Sequence, residues 1–323
     1  MASGQERVLR RRIKSIQSTK KITRAMELIA ASRIVRAQQR VAAARPYAEH
    51  ITAVLGNLAA AGAGLSSPLL QPREEVRTMA YVVITGDRGL AGAYNTNVIR
   101  LAERAIRDDR AAGRSVALVC VGRKGEGYFR FRGQPIDAAF AGMTDQPSYE
   151  DARTVATHVT ARFEEGAFDQ VDLVYTQFIS VGTQRVVRRR FMPLDPASLE
   201  AAAESGPTAD YEFEPAPAVI LDRLLPRYAE ARLFAAMLDA AASEHAARQR
   251  AMKSATDNAE ELITKLTRVM NRARQDAITT EIMEIVSGAE ALRTGDEEDR
   301  PDYLVDEIGS PDHFLPHLER SQT

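Results

Sequence analysis

The C-terminal part of the chain contains a stretch that favours one uninterrupted helix. Between Pro226 and Gly288 there is neither glycine nor proline, the two residues that most often break regular structure. Apolar residues recur there in alternating steps of three and four, which is the spacing of a coiled-coil seam. Of the 17 seam positions between residues 221 and 277, three are polar. These are His245, Gln249 and Thr256. The pattern predicts a helix far longer than the 11 to 12 residues that are usual in globular domains.

The N-terminal end has a similar pattern. Pro46 is the only breaker between Gly4 and Gly56, and a seam of the same spacing runs through residues 34–58. Both seams are rich in alanine, which buries little apolar area at about 25 cal/mol per Å². We therefore expect the coiled coil to depend on a surrounding partner. Because the two helices lie at opposite ends of one chain, we expect them to pair antiparallel. An earlier seam at residues 9–16, continued in register, places three further residues on the seam: Lys20, Thr23 and Glu27.

The middle of the chain alternates between strand and helix patterns. Residues 80–85 (AYVVIT) and 116–121 (VALVCV) are continuous apolar runs of the kind found in buried strands. A helical pattern at about residues 95–112 separates them, and residues 171–179 and 185–191 are predicted as two more strands. A β-α-β beginning of this kind indicates an open α/β sheet.

These patterns predict four regions. An N-terminal coiled-coil helix covers residues 1–58, and an α/β domain with a proline-containing linker covers 59–216. A C-terminal coiled-coil helix covers 217–290, and an acidic tail, predicted to be disordered, covers 291–323. The fold class predicted is thus α/β, with the two terminal helices forming a long antiparallel coiled coil.

The net charge of −1 conceals a strong asymmetry along the chain. Residues 1–58 carry a charge of +9, whereas residues 291–323 carry −6. Such asymmetry indicates charged partners. No segment reaches the roughly 20 consecutive apolar residues of a membrane-spanning helix, and none resembles a signal peptide. The single cysteine, Cys120, excludes an internal disulfide framework. We therefore expect a protein that is made and kept in the cytosol, which leaves docking onto a membrane complex open.

No catalytic, cofactor-binding or metal-binding constellation emerges from the sequence. Gly86, Gly89 and Gly92 follow a predicted strand, but their spacing is GxxGxxG rather than the GxGxxG of a dinucleotide-binding turn. A GxxxxGK[ST] phosphate loop is absent from the sequence, and the five histidines lack metal-ligand spacing. A nucleotide-dependent enzyme built on the α/β domain remains the alternative hypothesis.

The basic residues between Arg7 and Arg45 allow three interpretations. They form a solvated helix face, or a basic region that enters the major groove of DNA, or a face that meets an acidic protein surface. The alanine-rich seam beyond them, and the presence of a partner helix in the same chain, argue against the DNA-binding interpretation.

Five blocks of sequence, in order, are similar to those of the gamma subunits of F-type ATP synthases. The last of them matches the signature pattern of that family, and together the blocks extend over the chain as far as about residue 291. They are 11–33 (RRIKSIQSTKKITRAMELIAASR), 44–49 (ARPYAE), 87–95 (DRGLAGAYN), 244–263 (EHAARQRAMKSATDNAEELI) and 278–291 (ITTEIMEIVSGAEA).

The resemblance implies a rotary role. In this family the two terminal helices enter the bore of a hexamer of alternating alpha and beta subunits, while a Rossmann-like middle domain lies beside the epsilon subunit. The foot of the stalk sits on the ring of c subunits. Proton flow turns the ring and stalk, and ATP is made on beta. The resemblance therefore implies a non-catalytic, peripheral subunit without a cofactor or nucleic-acid partner, on the cytoplasmic side of the bacterial plasma membrane.

The resemblance also implies roles for individual residues. Beta-subunit contacts are expected at Arg274, Gln275, Thr279 and Glu281, and on the basic face of the first helix at Lys20, Lys21 and Arg24. Contacts with the c-ring are expected from Tyr211 and Glu214. The chain departs from typical members in continuing for about 32 residues beyond the signature, and we expect this extension to have at most a regulatory role.

Overall fold

A computed structural model describes residues 2–60, 67–194 and 214–297. The chain divides into two units, one of Lys14–Ile263 and one formed by Met1–Ile13 with Thr264–Thr323. The elements, in chain order, are helix α1 (Ala2–Ala60), β1 (Thr78–Ile84), α2 (Tyr94–Ala111), β2 (Ser115–Val121), α3 (Arg123–Phe131), β3 (Ile136–Phe140), α4 (Tyr149–Glu164), β4 (Gln170–Phe178), β5 (Gln184–Met192) and α5 (Pro217–Glu297).

The sheet of the larger unit has five strands in the order β3-β2-β1-β4-β5. The first four strands are mutually parallel where they pair, and β5 returns antiparallel to β4 as a hairpin. The apolar runs of β1 and β2 lie at the centre, where both faces are covered by helices. The predicted fold class, α/β with long terminal helices and a central sheet, is confirmed.

Successive residues of β1 point to opposite layers. Ala80, Val82 and Ile84 pack into a core shared with α4, the C-terminal end of α1 and the first turns of α5. Tyr81 and Val83 belong to a second core, formed with α2 and α3. The period-two alternation of a strand thus places the terminal helices and α4 on one face of the sheet and the two remaining helices on the other.

Three elements of the α/β domain were missing from the sequence-based expectation: α3, β3 and α4. Helix α4 had a recognisable signal, because Ser148 and Asp151 form a capping box in which each side chain accepts the other residue's backbone N–H. Strand β3 is only five residues long and half-buried, so its alternation was too short to detect.

The terminal helices pair antiparallel within the larger unit. Thr23 Oγ1 lies 2.8 Å from Thr256 Oγ1. One turn away on each helix, Lys20 Nζ lies 3.1 Å from a carboxylate oxygen of Glu260. Moving towards the N-terminus of α1 therefore corresponds to moving towards the C-terminus of α5. The seam residues from both helices are largely buried along this pairing.

The smaller unit is helical in its described parts and strongly exposed. Every residue from 281 to 293 is exposed, including several large apolar ones. Ile285 and Leu292 have 72% and 76% of their surface accessible. Helices rarely expose so many large apolar side chains without a partner.

Candidate functional site

The carboxyl ends of β1 and β4 form the crevice where doubly wound α/β proteins usually bind ligands. Here side chains from one face of α5 enter it. The Glu244 carboxylate lies 2.8 Å from the position a Cβ would take at Gly86, and Arg248 Nη2 is 3.4 Å from the Gly89 carbonyl oxygen. Ser243 Oγ donates to the Thr176 carbonyl oxygen at 3.2 Å. The Glu244 carboxylate therefore occupies the space beside the first glycine of this turn, which argues against a dinucleotide held there and so against the enzyme hypothesis.

Asp87, in the turn after β1, organises the loops around this crevice. Its carboxylate accepts hydrogen bonds from the backbone N–H groups of Gly142, Thr144 and Arg123, at 2.9, 3.2 and 3.1 Å, and from the Thr144 hydroxyl at 2.9 Å. Burial by itself raises the pKa of Asp87, but these hydrogen bonds to the charged form outweigh it and leave the pKa lowered. Asp87 therefore remains ionised and holds three loops together.

Glu244 and Arg248 form a buried ion pair one turn apart on α5. Their side chains are only 2% and 9% exposed. Burial raises the pKa of Glu244, and the neighbouring guanidinium opposes that rise. Glu244 Oε2 is buried without a hydrogen-bond partner among the described residues. The carboxylate thus depends on Arg248 for its compensation, as a buried charge requires.

His245 joins the same contact from the coiled-coil seam. Its Nε2 lies 3.1 Å from the Asp145 carbonyl oxygen, which can only accept, so Nε2 carries the proton. Nδ1 then accepts from Arg248 at 3.4 Å. Burial lowers the pKa of His245, consistent with a neutral ring. Arg33 of α1 forms an ion pair with the Asp145 side chain, so both terminal helices are tied to the loop before α4.

We call this set of contacts the joint: Asp87, Asp145, Glu244, His245, Arg248 and Arg33. The sequence alone did not single it out as a site. Its signals were the polar position His245 on an apolar seam and the charged pair Glu244 and Arg248, which a single helix turn separates. Two of the sequence blocks that carried the family resemblance, 87–95 and 244–263, meet here.

The interruption of the α1 seam has a structural explanation. Thr23 and Glu27 are both 8% exposed, so the continued register does place them on the buried side. The Thr23 hydroxyl pairs with Thr256, and Arg24 Nη1 donates to both carboxylate oxygens of Glu27 at 2.9 Å. A polar layer of this kind fixes the register of two helices at some cost in stability.

The structure does not gather the contact residues implied by the resemblance into one site. Of the basic group on α1, Lys20 and Arg24 already have partners within the chain, and Lys21 is exposed. On α5, Arg274, Gln275, Thr279 and Glu281 are all exposed. Glu214 is exposed just before α5, and Tyr211 lies outside the described residues. The contact roles that the resemblance implies for these residues remain predictions.

Among the described residues, no group of three or more acidic, histidine or cysteine side chains is placed to hold a metal ion. The same part of the chain contains no helix long and apolar enough to span a membrane.

Known proteins are similar to this chain in sequence and in fold. The family model described as ATP synthase matches residues 5–292. The ATP synthase gamma chain of Frankia casuarinae is 53% identical, over 91% of this chain and 99% of that protein. The one from Kineococcus radiotolerans is 48% identical, over 90% and 97%. A chain of the Euglena gracilis mitochondrial ATP synthase in rotational state 3 shares the fold, with a TM-score of 0.66 at 16% identity, over 94% of this chain and 99% of that one.

The fold and the joint define a class: two long helices paired antiparallel, with an α/β domain whose crevice at the strand ends is entered by side chains of one of them. The chain belongs to the ATP synthase gamma chain family.

Proposed function

We propose that this chain is the rotary central-stalk subunit of an F-type ATP synthase. It couples proton flow through the c-ring to ATP synthesis on the beta subunits. It carries no catalytic group of its own, and its contribution is mechanical. Its partners are the alpha and beta subunits, the epsilon subunit and the c-ring. It lies on the cytoplasmic side of the bacterial plasma membrane and is held there by the complex.

The joint is the observation that carries this proposal. A rotor must transmit torque from the part that the c-ring turns to the helices inside the hexamer. A flexible connection between that part and the helices would reduce the torque that reaches the hexamer. The Glu244 side of α5 is buried in the α/β domain, and Arg250 Nη1 donates to the Val181 carbonyl oxygen of the β4–β5 turn at 2.7 Å. The contacts of Arg33 with Asp145 add α1 to the same anchor. The α/β domain is thereby attached to both helices.

The exposed apolar residues of the smaller unit support the proposed surroundings of the helices. Ile282 and Met283 are more than half accessible, yet they belong to a sequence block characteristic of the family. Enclosure by partner subunits would cover this surface. The exposed polar side chains would then contact different beta subunits as the orientation of the helix changes.

Reconstitution with a hexamer of alpha and beta subunits tests the function. The chain alone is expected to hydrolyse no ATP. Arg104 lies on the exposed side of α2, so an Arg104→Cys variant offers a site for attaching a bead. With the hexamer immobilised, ATP should drive unidirectional rotation of that bead. ATPase activity in the chain alone, or an assembled complex whose bead never turns, would contradict the proposal.

The beta-subunit contacts proposed on α5 have their own test. Replacing Arg274, Gln275, Thr279 and Glu281 together by alanine should lower the ATPase rate of the assembled complex. Because successive helical residues are 100° apart, Thr280 points at least 100° away from each of the four, and alanine there should leave the rate unchanged. Equal loss in both variants would exclude a specific contact.

A further inference from the structure

A cavity of about 510 Å³ lies between α2 and α3, on the face of the sheet away from the terminal helices. Its volume falls within the range of small-molecule sites. Glu103, Arg107 and Arg110 line it from α2, at the i, i+4 and i+7 spacing that places side chains on one face of a helix. Arg132 and the ring of Tyr128 line it from α3 and the turn that follows.

Existing hydrogen bonds hold part of the lining in place. Tyr128 donates its hydroxyl to Glu103 Oε1 at 2.8 Å, and that bond raises the pKa of the phenol. Arg110 Nη2 donates to the Gln134 side chain at 2.6 Å, and Arg132 Nε is 3.7 Å from the Glu103 carboxylate. Arg107 forms no hydrogen bond or ion pair with the residues that the structure describes. One guanidinium is therefore available and two others are oriented beside it.

The charge and shape of the cavity match one chemical class. Three guanidinium groups and one carboxylate give the lining a net charge of about +2, which balances a phosphate group near neutral pH. Arginine is the side chain best suited to bidentate contact with phosphate oxygens. The floor is apolar: Ile106 and Phe129 are buried, and the Tyr128 and Phe129 rings meet edge to face at 5.5 Å.

We propose that this cavity binds a phosphate-bearing small molecule, with its phosphate between Arg107, Arg110 and Arg132. Any flat organic part of the ligand lies against Tyr128. The site is separate from the crevice that α5 enters and requires no change in the position of α5. It does not depend on the rotary function, because it is formed within the α/β domain.

Calorimetric titration of the purified full chain with pyrophosphate and with ADP tests the proposal. At least one of them should bind saturably at one site, and the stronger of the two identifies a polyphosphate or a nucleotide as the ligand class. Arg107→Gln should weaken binding by roughly ten- to a hundredfold, the usual cost of losing charged hydrogen bonds. The matched control is Arg104→Gln, since Arg104 is exposed on the same helix but does not line the cavity.

Glu103→Gln provides a second test, which misfolding cannot imitate. It removes the negative charge beside the arginines and keeps an oxygen that can accept from Tyr128. Binding should therefore tighten several-fold. Absence of saturable binding for both probes, equal weakening by the Arg104 and Arg107 variants, or no tightening in Glu103→Gln would overturn the proposal.

Discussion

Gly122, at the start of α3, shows how strictly the backbone restricts a single residue near the crevice. Its φ of +101° is a conformation that side chains rarely adopt, and an added Cβ would stand 2.2 Å from the Thr85 carbonyl oxygen. That carbonyl belongs to the turn after β1, so the contact is between two backbone segments that cannot move apart easily. Glycine is required here by the close approach of two strand ends.

Gly122→Ala should therefore destabilise the chain by at least about 2 kcal/mol. The matched control is Gly127→Ala, in the same helix, where nothing lies within 4 Å of an added Cβ. Since alanine favours helix over glycine, that variant should gain about 0.5 to 1 kcal/mol. Urea unfolding of the two full-length variants measures both. Equal effects in the two variants would be inconsistent with a backbone clash at Gly122.

Asp239 on α5 makes stability depend on pH. Burial raises its pKa to about 6, although Arg189 and Arg45 oppose the rise. The folded chain thus binds a proton more readily than the unfolded one between about pH 4 and pH 6, so this group lowers stability as the pH rises through that window. Asp239→Asn should therefore stabilise the chain at pH 7.5 by about 2 kcal/mol and have little effect near pH 4.

The measurement is the difference in unfolding free energy between wild type and Asp239→Asn at a series of pH values, because the other titrating groups cancel in the difference. A difference that does not vary with pH would show that burial does not raise the pKa of Asp239.

At the scale of the elements, α5 has two roles on different faces. Its seam pairs with α1, whereas Glu244 and Arg248 enter the sheet crevice. One helix serves both faces, which explains why buried polar residues lie beside the apolar seam around Glu244. They are scarcer among the buried positions nearer Pro217, where the helix begins. The α/β domain and the coiled coil share a buried charge network rather than a purely apolar contact.

Arg248→Met should destabilise the chain by about 3 to 5 kcal/mol, because it leaves the Glu244 carboxylate buried without its counter-ion. The double variant Glu244→Gln with Arg248→Met should lose less than the single one, since no charge is then left unpaired. Lys253→Met, on an exposed position of the same helix, is the control and should have little effect. Unfolding free energies that add across the two substitutions would show that the pair does not act as a unit.

For the whole molecule, the acidic extension is the feature that separates this chain from typical relatives. The described part of α5 reaches Glu297, and residues 298–323 lie outside the described residues. A chain truncated after Ala291 should still assemble with the hexamer and support rotation at the wild-type rate. Co-purification with the hexamer and bead rotation measure the two properties. Loss of assembly or rotation would show that the extension is needed for more than regulation.

Local patterns were sufficient for much of the fold. The absence of breakers predicted two long helices, apolar runs predicted β1 and β2, and β4 and β5 were predicted as two further strands, because these signals arise from residues close together in sequence. The alternation that identifies a strand was too short in β3, and the helix α3, which is nine residues long, gave no comparable signal. The family resemblance supplied what local patterns could not, which was the proposed use of the helices.

The sequence by itself determined that both terminal helices are long and that the domain between them has α/β character. Only the tertiary structure decided which polar residues have partners. Thr23 meets Thr256, and the Glu244 carboxylate occupies the space above Gly86, across separations of more than 150 residues. Whether a buried charge is stabilising depends on those distant partners, because the cost of removing it from water is recovered only where the fold supplies a counter-charge or a hydrogen bond.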